Sequence, residues 1–119
     1  MHAFDVLGDP VRRRILELLA DGERTAGEVA AVAQAEFGIS QSAVSQHLRV
    51  LRDNGFATMR VARQFRVYAI SGEPFREVDE WLRRYRRFWT QRLDALDTEI
   101  ARGKAVRRKA IQGERNRNP

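Results

Sequence analysis

Cysteine is absent from this 119-residue chain, and histidine occurs only twice, as His2 and His47. The first absence excludes disulfides, thiolate zinc sites, iron–sulfur ligation and cysteine nucleophiles. The second excludes a histidine-rich metal site. There is no glycine-rich phosphate loop and no metal-ligand spacing, so the sequence reads as a non-enzyme that needs no cofactor. Long hydrophobic runs are missing as well. The longest wholly apolar stretch, Val29 to Ala33, is far short of the roughly 20 residues that span a bilayer. Met1 to Asp9 carries Asp5 and Asp9 in place of a basic start and an apolar run, so it does not read as a targeting signal. A cytoplasmic location with no membrane partner is the expectation.

What is present is positive charge, unevenly spread. The formal net charge is +6. Residues 102–119 hold seven basic residues and one acid, which accounts for all of it; residues 1–101 are balanced at zero. Within that balanced body, residues 40–70 carry Arg49, Arg52, Arg60, Arg63 and Arg66 against Asp53 alone. Such a block is the footprint of a local anion-binding surface. The length suits one small domain. We read 1–101 as that domain and 102–119 as a basic, disordered tail.

Punctuation along the chain divides the body into elements. Asp9-Pro10 starts a helix, with a capping carboxylate and a first residue that has no N–H to lose. Val11, Ile15, Leu18 and Leu19 form its stripe, and Asp21-Gly22 ends it. Ala3 to Leu7 before it can form a short helix that buries Phe4 and Leu7. Thr25-Ala26-Gly27-Glu28 is a capping box, opening a helix that buries Val29, Ala33 and Phe37 until Gly38 breaks it. Ser40 caps a third helix over 41–53, with Val44, Leu48 and Leu51 on one face and Asn54-Gly55 as its stop. Phe56 to Ile70 is rich in Val, Phe, Tyr and Thr, and predicts two strands around a turn near Ala62-Arg63-Gln64. A last helix runs over 74–102, about 43 Å at 1.5 Å per residue. That is long against the roughly 13 Å radius of gyration of a 100-residue domain, so the helix needs a partner.

Helix, capped helix, tight break, polar-faced third helix and hairpin together make a winged helix-turn-helix. The fold class is mainly α with a small β-hairpin and a long C-terminal dimerisation helix. In this plan the third helix enters the major groove of double-stranded DNA. Its outward residues Gln41, Ser42, Ser45, Gln46 and Arg49 suit base edges, since Gln pairs with adenine and Arg with guanine. Arg60, Arg63, Gln64 and Arg66 on the hairpin reach phosphates or the adjacent minor groove. His47 either touches a phosphate or bridges helix and hairpin. Arg12, Arg13 and Arg14 could touch the DNA backbone; spread at 100° steps around a helix, they fit better as solvated or paired residues. On the last helix Phe75, Val78, Trp81, Leu82, Tyr85, Trp89 and Leu93, joined by Phe4 and Leu7, read as a dimerisation stripe anchored by Trp and Tyr.

At these residues the sequence resembles the ArsR-type winged-helix repressors. The stretches that carry the resemblance are LGDPVRRRILELLADGERTAGEVA, ISQSAVSQHLRVLRDNGF and RQFRVYAI. It covers residues 7–70 closely and 71–101 in helical character. It implies a homodimer paired through its terminal helices, two recognition helices on a palindromic operator, and repression relieved by a signal. Many members sense metals through paired Cys on the second helix of the motif or His/Asp/Glu clusters on the last helix. Neither set is present here, so a thiol-based metal switch is excluded. The stretch from Ala30 to Phe37 is longer than the family's spacing by about one helical turn. The wing also lacks the usual tip glycine. Three other readings stay open: a repressor sensing a metal or an unidentified small-molecule inducer through non-cysteine ligands at the dimer seam, an architectural binder held to DNA by charge alone, and an interaction module whose last helix docks another protein.

Overall fold

The structure is a computed structural model that describes the backbone of residues 1–117 and the side chains of residues 1–103. It falls into two compact units, Met1–Glu80 and the chain from Trp81 onward. The first unit holds α1 (Ala3–Leu7), α2 (Pro10–Ala20), β1 (Arg24–Thr25), α3 (Ala26–Phe37), α4 (Gln41–Asp53), β2 (Ala57–Ala62), β3 (Phe65–Ile70) and the start of α5 (Glu73–Arg117).

The caps read from the sequence are in place. Val11 and Arg12 donate their backbone N–H groups to Asp9 Oδ1 at 2.8 and 3.1 Å. Glu28 N–H donates to Thr25 Oγ1 at 3.2 Å, and Thr25 N–H to Glu28 Oε1 at 3.1 Å, completing the capping box. Ala43 N–H donates to Ser40 Oγ at 3.1 Å. Each satisfies donors that the first helical turn leaves without a partner. Gly38 closes α3 at φ 64°, a left-handed conformation that costs a residue with a Cβ about 1–2 kcal/mol.

One core holds this unit together. Val6, Ile15, Leu19, Val29, Val44, Leu51 and Phe56 are fully buried at its centre. Phe56 meets Phe75 edge-on, with ring centroids 5.1 Å apart at 87°. Its N–H donates to Leu51 carbonyl at 2.9 Å, and its carbonyl accepts from Ser71 N–H at 2.8 Å. The end of α4, the start of the wing and the start of α5 therefore meet at one residue.

Several details differ from the sequence expectations, each for a packing reason. The hairpin is the larger part of a three-stranded antiparallel sheet in the order β1-β3-β2, with Arg24 opposite Tyr68 and Thr25 opposite Val67. Two residues are too few for an alternation pattern to announce a strand. On α1 the buried residues are Ala3 and Val6, while Phe4 is exposed and Leu7 half-buried. On α2 Leu16 is buried and Leu18 only partly. Phe37 is exposed at the end of α3. The added turn of α3 is continuous helix, fastened to α2 by Arg14, whose Nε and NH2 donate to the two Glu36 carboxylate oxygens at 2.9 and 3.0 Å. Helix α5 continues beyond residue 102 to Arg117. The side chains of 104–119 and the whole of residues 118 and 119 lie outside the described residues, and the expectation of a disordered tail falls largely on them.

In the second unit, Trp81, Tyr85, Phe88, Trp89, Leu93, Leu96 and Ile100 are all exposed. Trp81 and Tyr85 rings lie 4.7 Å apart, and the Arg92 guanidinium sits 4.5 Å above the Phe88 ring. Among the described residues no helix is long and apolar enough to cross a membrane.

Candidate nucleic-acid interface

Burying Val44, Leu48 and Leu51 fixes the rotation of α4 about its axis. Gln41, Ser42, Ser45, Gln46, Arg49 and Arg52 are thereby turned outward, all exposed. Ser40 caps the helix and no acid sits in its first turn, so the positive end of its dipole is left for an external anion. The outward face is held rigid from behind and is chemically matched to base edges and phosphates.

Between α4 and the sheet lies a crevice of about 590 Å3. Ser45, Arg49, Arg52 and Arg66 line it, over a floor of Leu48, Met59 and Tyr68. Three arginines thus line one polar groove, which suits the passage of a phosphodiester strand. Asp53 also lines it, and its Oδ2 lies 3.8 Å from Arg49 Nε. Both side chains are mostly exposed, so this pair contributes little to stability.

The three wing arginines do not form one patch. Arg66 faces Val61 across the ladder and Arg60 faces Val67, so the pleat sends them to opposite faces. Arg66 joins the crevice. Arg60 lies on the other face, where its NH2 donates to Glu23 Oε2 at 2.8 Å. Arg63 and Gln64 form the exposed two-residue turn between the strands. Grouping these arginines by sequence missed the pleat.

His47 is turned inward, to α2 and not to the hairpin. Its Nδ1 lies 3.4 Å from Arg12 NH1 and 4.0 Å from Asp9 Oδ1. Burial pushes the Asp9 carboxyl up, but the Arg12 N–H, the charges of His47 and Arg12 and the Val11 N–H outweigh it and hold it below the ordinary value. The basic run is largely occupied as well. Arg12 donates from Nε to Val6 carbonyl at 2.8 Å and from NH2 to Asp5 carbonyl at 3.1 Å. Arg13 NH1 donates to Leu7 carbonyl at 2.7 Å. These guanidinium groups close the carboxyl end of α1, so the run is paired, with backbone carbonyls as the acceptors, for which the sequence carries no signal.

His2 is engaged too. It accepts Phe4 N–H at Nδ1 at 3.3 Å, and its Nε2 lies 2.7 Å from Glu77 Oε1. No cluster of three or more His, Cys, Asp or Glu that could hold a metal occurs among the described residues. Sequence reasoning also missed Met59 and Tyr68 as the crevice floor and Asp53 at its edge. The i,i+4 spacing from Arg49 to Asp53 was a signal that could have found the last.

Residues 7–60 match the helix-turn-helix domain family. The chain is 31% identical over 81 residues to the transcriptional repressor SdpR of Bacillus subtilis, covering 68% of this chain and 86% of that protein. It resembles the crystal structure of an ArsR family transcriptional regulator with a TM-score of 0.62 at 30% identity, over 74% of this chain and 87% of the other. It also resembles the homodimeric winged helix-turn-helix DNA-binding domain of a possible ArsR-family regulator from Mycobacterium bovis, with a TM-score of 0.54 at 26% identity over 68% and 71% of the two chains. With the capped α3–α4 pair and the wing, these likenesses establish that the chain belongs to the ArsR-type family of winged helix-turn-helix transcriptional regulators.

Proposed function

We propose that this regulator is a homodimeric repressor, working in the cytoplasm, whose two α4 helices read a palindromic DNA operator. The observation that carries the reading is the outward face of α4, with Gln41, Ser42, Ser45, Gln46 and Arg49 exposed above a rigid buried stripe and beside the arginine-lined crevice. Gln41, Ser42, Ser45, Gln46 and Arg49 contact base edges. Arg66 and Arg63, with Gln64, contact the backbone or minor groove; Arg60 does so once Glu23 releases it, and His47 acts by holding α4 against α2.

Dimerisation is supported by three features. Trp81, Tyr85, Phe88, Trp89 and Leu93 are exposed, an apolar stripe too continuous for a solvated helix. An apolar groove of about 480 Å3 on the first unit, walled by Leu7, Leu16, Ala20, Ile70 and Phe75, needs a cover, and a second copy supplies one. The Mycobacterium bovis domain is itself homodimeric. Two-fold symmetry sets the half-sites about 34 Å apart.

The test is Arg49→Ala in a binding titration against a selected operator and its single-base variants. It should cost roughly 1–3 kcal/mol and relax preference at one base pair. An equal loss on every sequence would overturn base reading by Arg49 and favour an architectural binder. Sedimentation of the purified chain as a stable monomer would overturn the homodimer.

A further inference from the structure

Asp53 is the one acid between Glu36 and Glu73, and it lines the crevice that Arg49, Arg52 and Arg66 share. Two features make this an unfavourable place for it. It is the last residue of α4, where the carbonyl end of the helix dipole already carries partial negative charge. The crevice also suits a phosphodiester strand, and a carboxylate there repels phosphate. A residue that breaks the local rules on a functional surface is explained by the partner it holds.

That partner is Arg49. Asp53 Oδ2 lies 3.8 Å from Arg49 Nε, one helical turn away. Arg52 and Arg66 line the same crevice and form no ion pair among the described residues. The contact is on the Nε edge of the guanidinium, so the NH1–NH2 edge is left without a partner among the described residues. Such a fork of two parallel N–H donors fits guanine O6 and N7. Glu23, by contrast, takes Arg60 at NH2 itself, the end that a base or phosphate would need.

We propose that Asp53 is a specificity-determining positioning residue: it braces Arg49 by its Nε edge, so that the free edge of the guanidinium meets guanine, and it keeps Arg49 from settling on a phosphate. An arginine without a brace takes phosphates and base edges alike, because its five donors serve either acceptor. Asp53 thereby lowers affinity for DNA in general and widens the difference between the right base pair and the wrong one. The inference rests on base reading by Arg49, proposed above. The two side chains are 83% and 62% exposed, so DNA reaches the pair and a substitution at Asp53 leaves the core untouched.

The experiment uses the full chain, a duplex selected by it from a random pool, single-base variants of that duplex and a random-sequence duplex, with binding followed by fluorescence anisotropy. Wild type should favour guanine at one base pair, and Arg49→Ala should lose that preference, which locates the pair. Asp53→Asn keeps the shape and removes the charge. It should cut the preference at that pair about two- to fivefold, the range of an exposed ion pair. It should also bind the random duplex more tightly and steepen the slope of log affinity against log salt by about 1, as Arg49 turns to a phosphate. Asp53→Glu keeps a carboxylate within reach of Arg49 and should retain the preference. If Asp53→Asn discriminates like wild type at the pair that Arg49→Ala locates, the brace is overturned and base reading by Arg49 stands. A loss of preference spread evenly over all base pairs is a general charge effect and overturns the brace as well. If no base pair depends on Arg49, the brace and base reading by Arg49 fall together.

Discussion

Replacing Phe56 with alanine tests the claim that α4, the wing and the start of α5 are held by one residue. Phe56 is 0% exposed, and its ring packs edge-on against Phe75 at 5.1 Å. Removing a buried phenyl ring costs about 3–5 kcal/mol, because the lost transfer energy is joined by a cavity that the surroundings only partly fill. The Phe75 pair adds about 0.5–1.5 kcal/mol. At roughly 0.05–0.15 kcal/mol per residue, a unit of 80 residues has about 4–12 kcal/mol in all. The variant should therefore lose a third or more of its stability, and at the low end should not fold. Phe56→Leu keeps most of the volume and should cost less, about 1–2 kcal/mol. Urea unfolding followed by circular dichroism, at one fixed protein concentration because assembly shifts the midpoint, measures both. If Phe56→Ala lost less than about 1 kcal/mol, the junction would be supported elsewhere and the centre of the core misassigned. A folded Phe56→Ala protein should also bind operator more weakly than Phe56→Leu, since wing and α4 lose their common anchor.

Gly38→Ala should destabilise by about 1–2 kcal/mol in the same assay, purely through the backbone, because φ is 64° and an added Cβ would meet nothing within 4 Å. Lowering the pH through the carboxylate range should weaken folding. The Asp9 carboxyl is held low against its burial, Glu28 by the Thr25 N–H and hydroxyl, and Glu36 by Arg14. A folded-state value below the unfolded one contributes stability above about pH 4.3, lost as pH falls through the folded value, so the contribution of these three carboxylates is complete at neutrality and declines below about pH 4. Asp9→Asn should flatten part of that decline in a urea series from pH 7 to 3. Deleting residues 103–119 removes six basic residues and one acid. That should weaken binding to random duplexes and lower the salt slope while operator preference survives, as read from paired titrations.

Much of this was legible in the chain because the determinants are local. Asp9, Thr25 and Ser40 announce helix starts through hydrogen bonds that reach only two or three residues. Gly38 and Asn54-Gly55 end helices by the same short-range logic, and α4 spans the expected 41–53. The period of Val44, Leu48 and Leu51 then dictates which residues of α4 face outward. The sequence by itself thus determined the order of the helices and the hairpin, the outward chemistry of α4 and the absence of a thiol switch.

What lay beyond it depends on partners distant in the chain. Whether Arg60 and Arg66 share a surface is decided by strand pairing: Val67 and Val61 opposite them send one to Glu23 and the other to the crevice. The third strand exists only because β3 lies alongside Arg24 and Thr25. His47 was readable as a helix residue, but Arg12, 35 positions away, turns it inward. Phe4 is apolar enough to bury, and the core took Ala3 and Val6 instead, three residues apart on one face of α1. Caps and helical periods act within a few residues, so the sequence holds them directly. Pleat, register and long-range ion pairs become real only when distant segments meet, and so only the tertiary structure settles them.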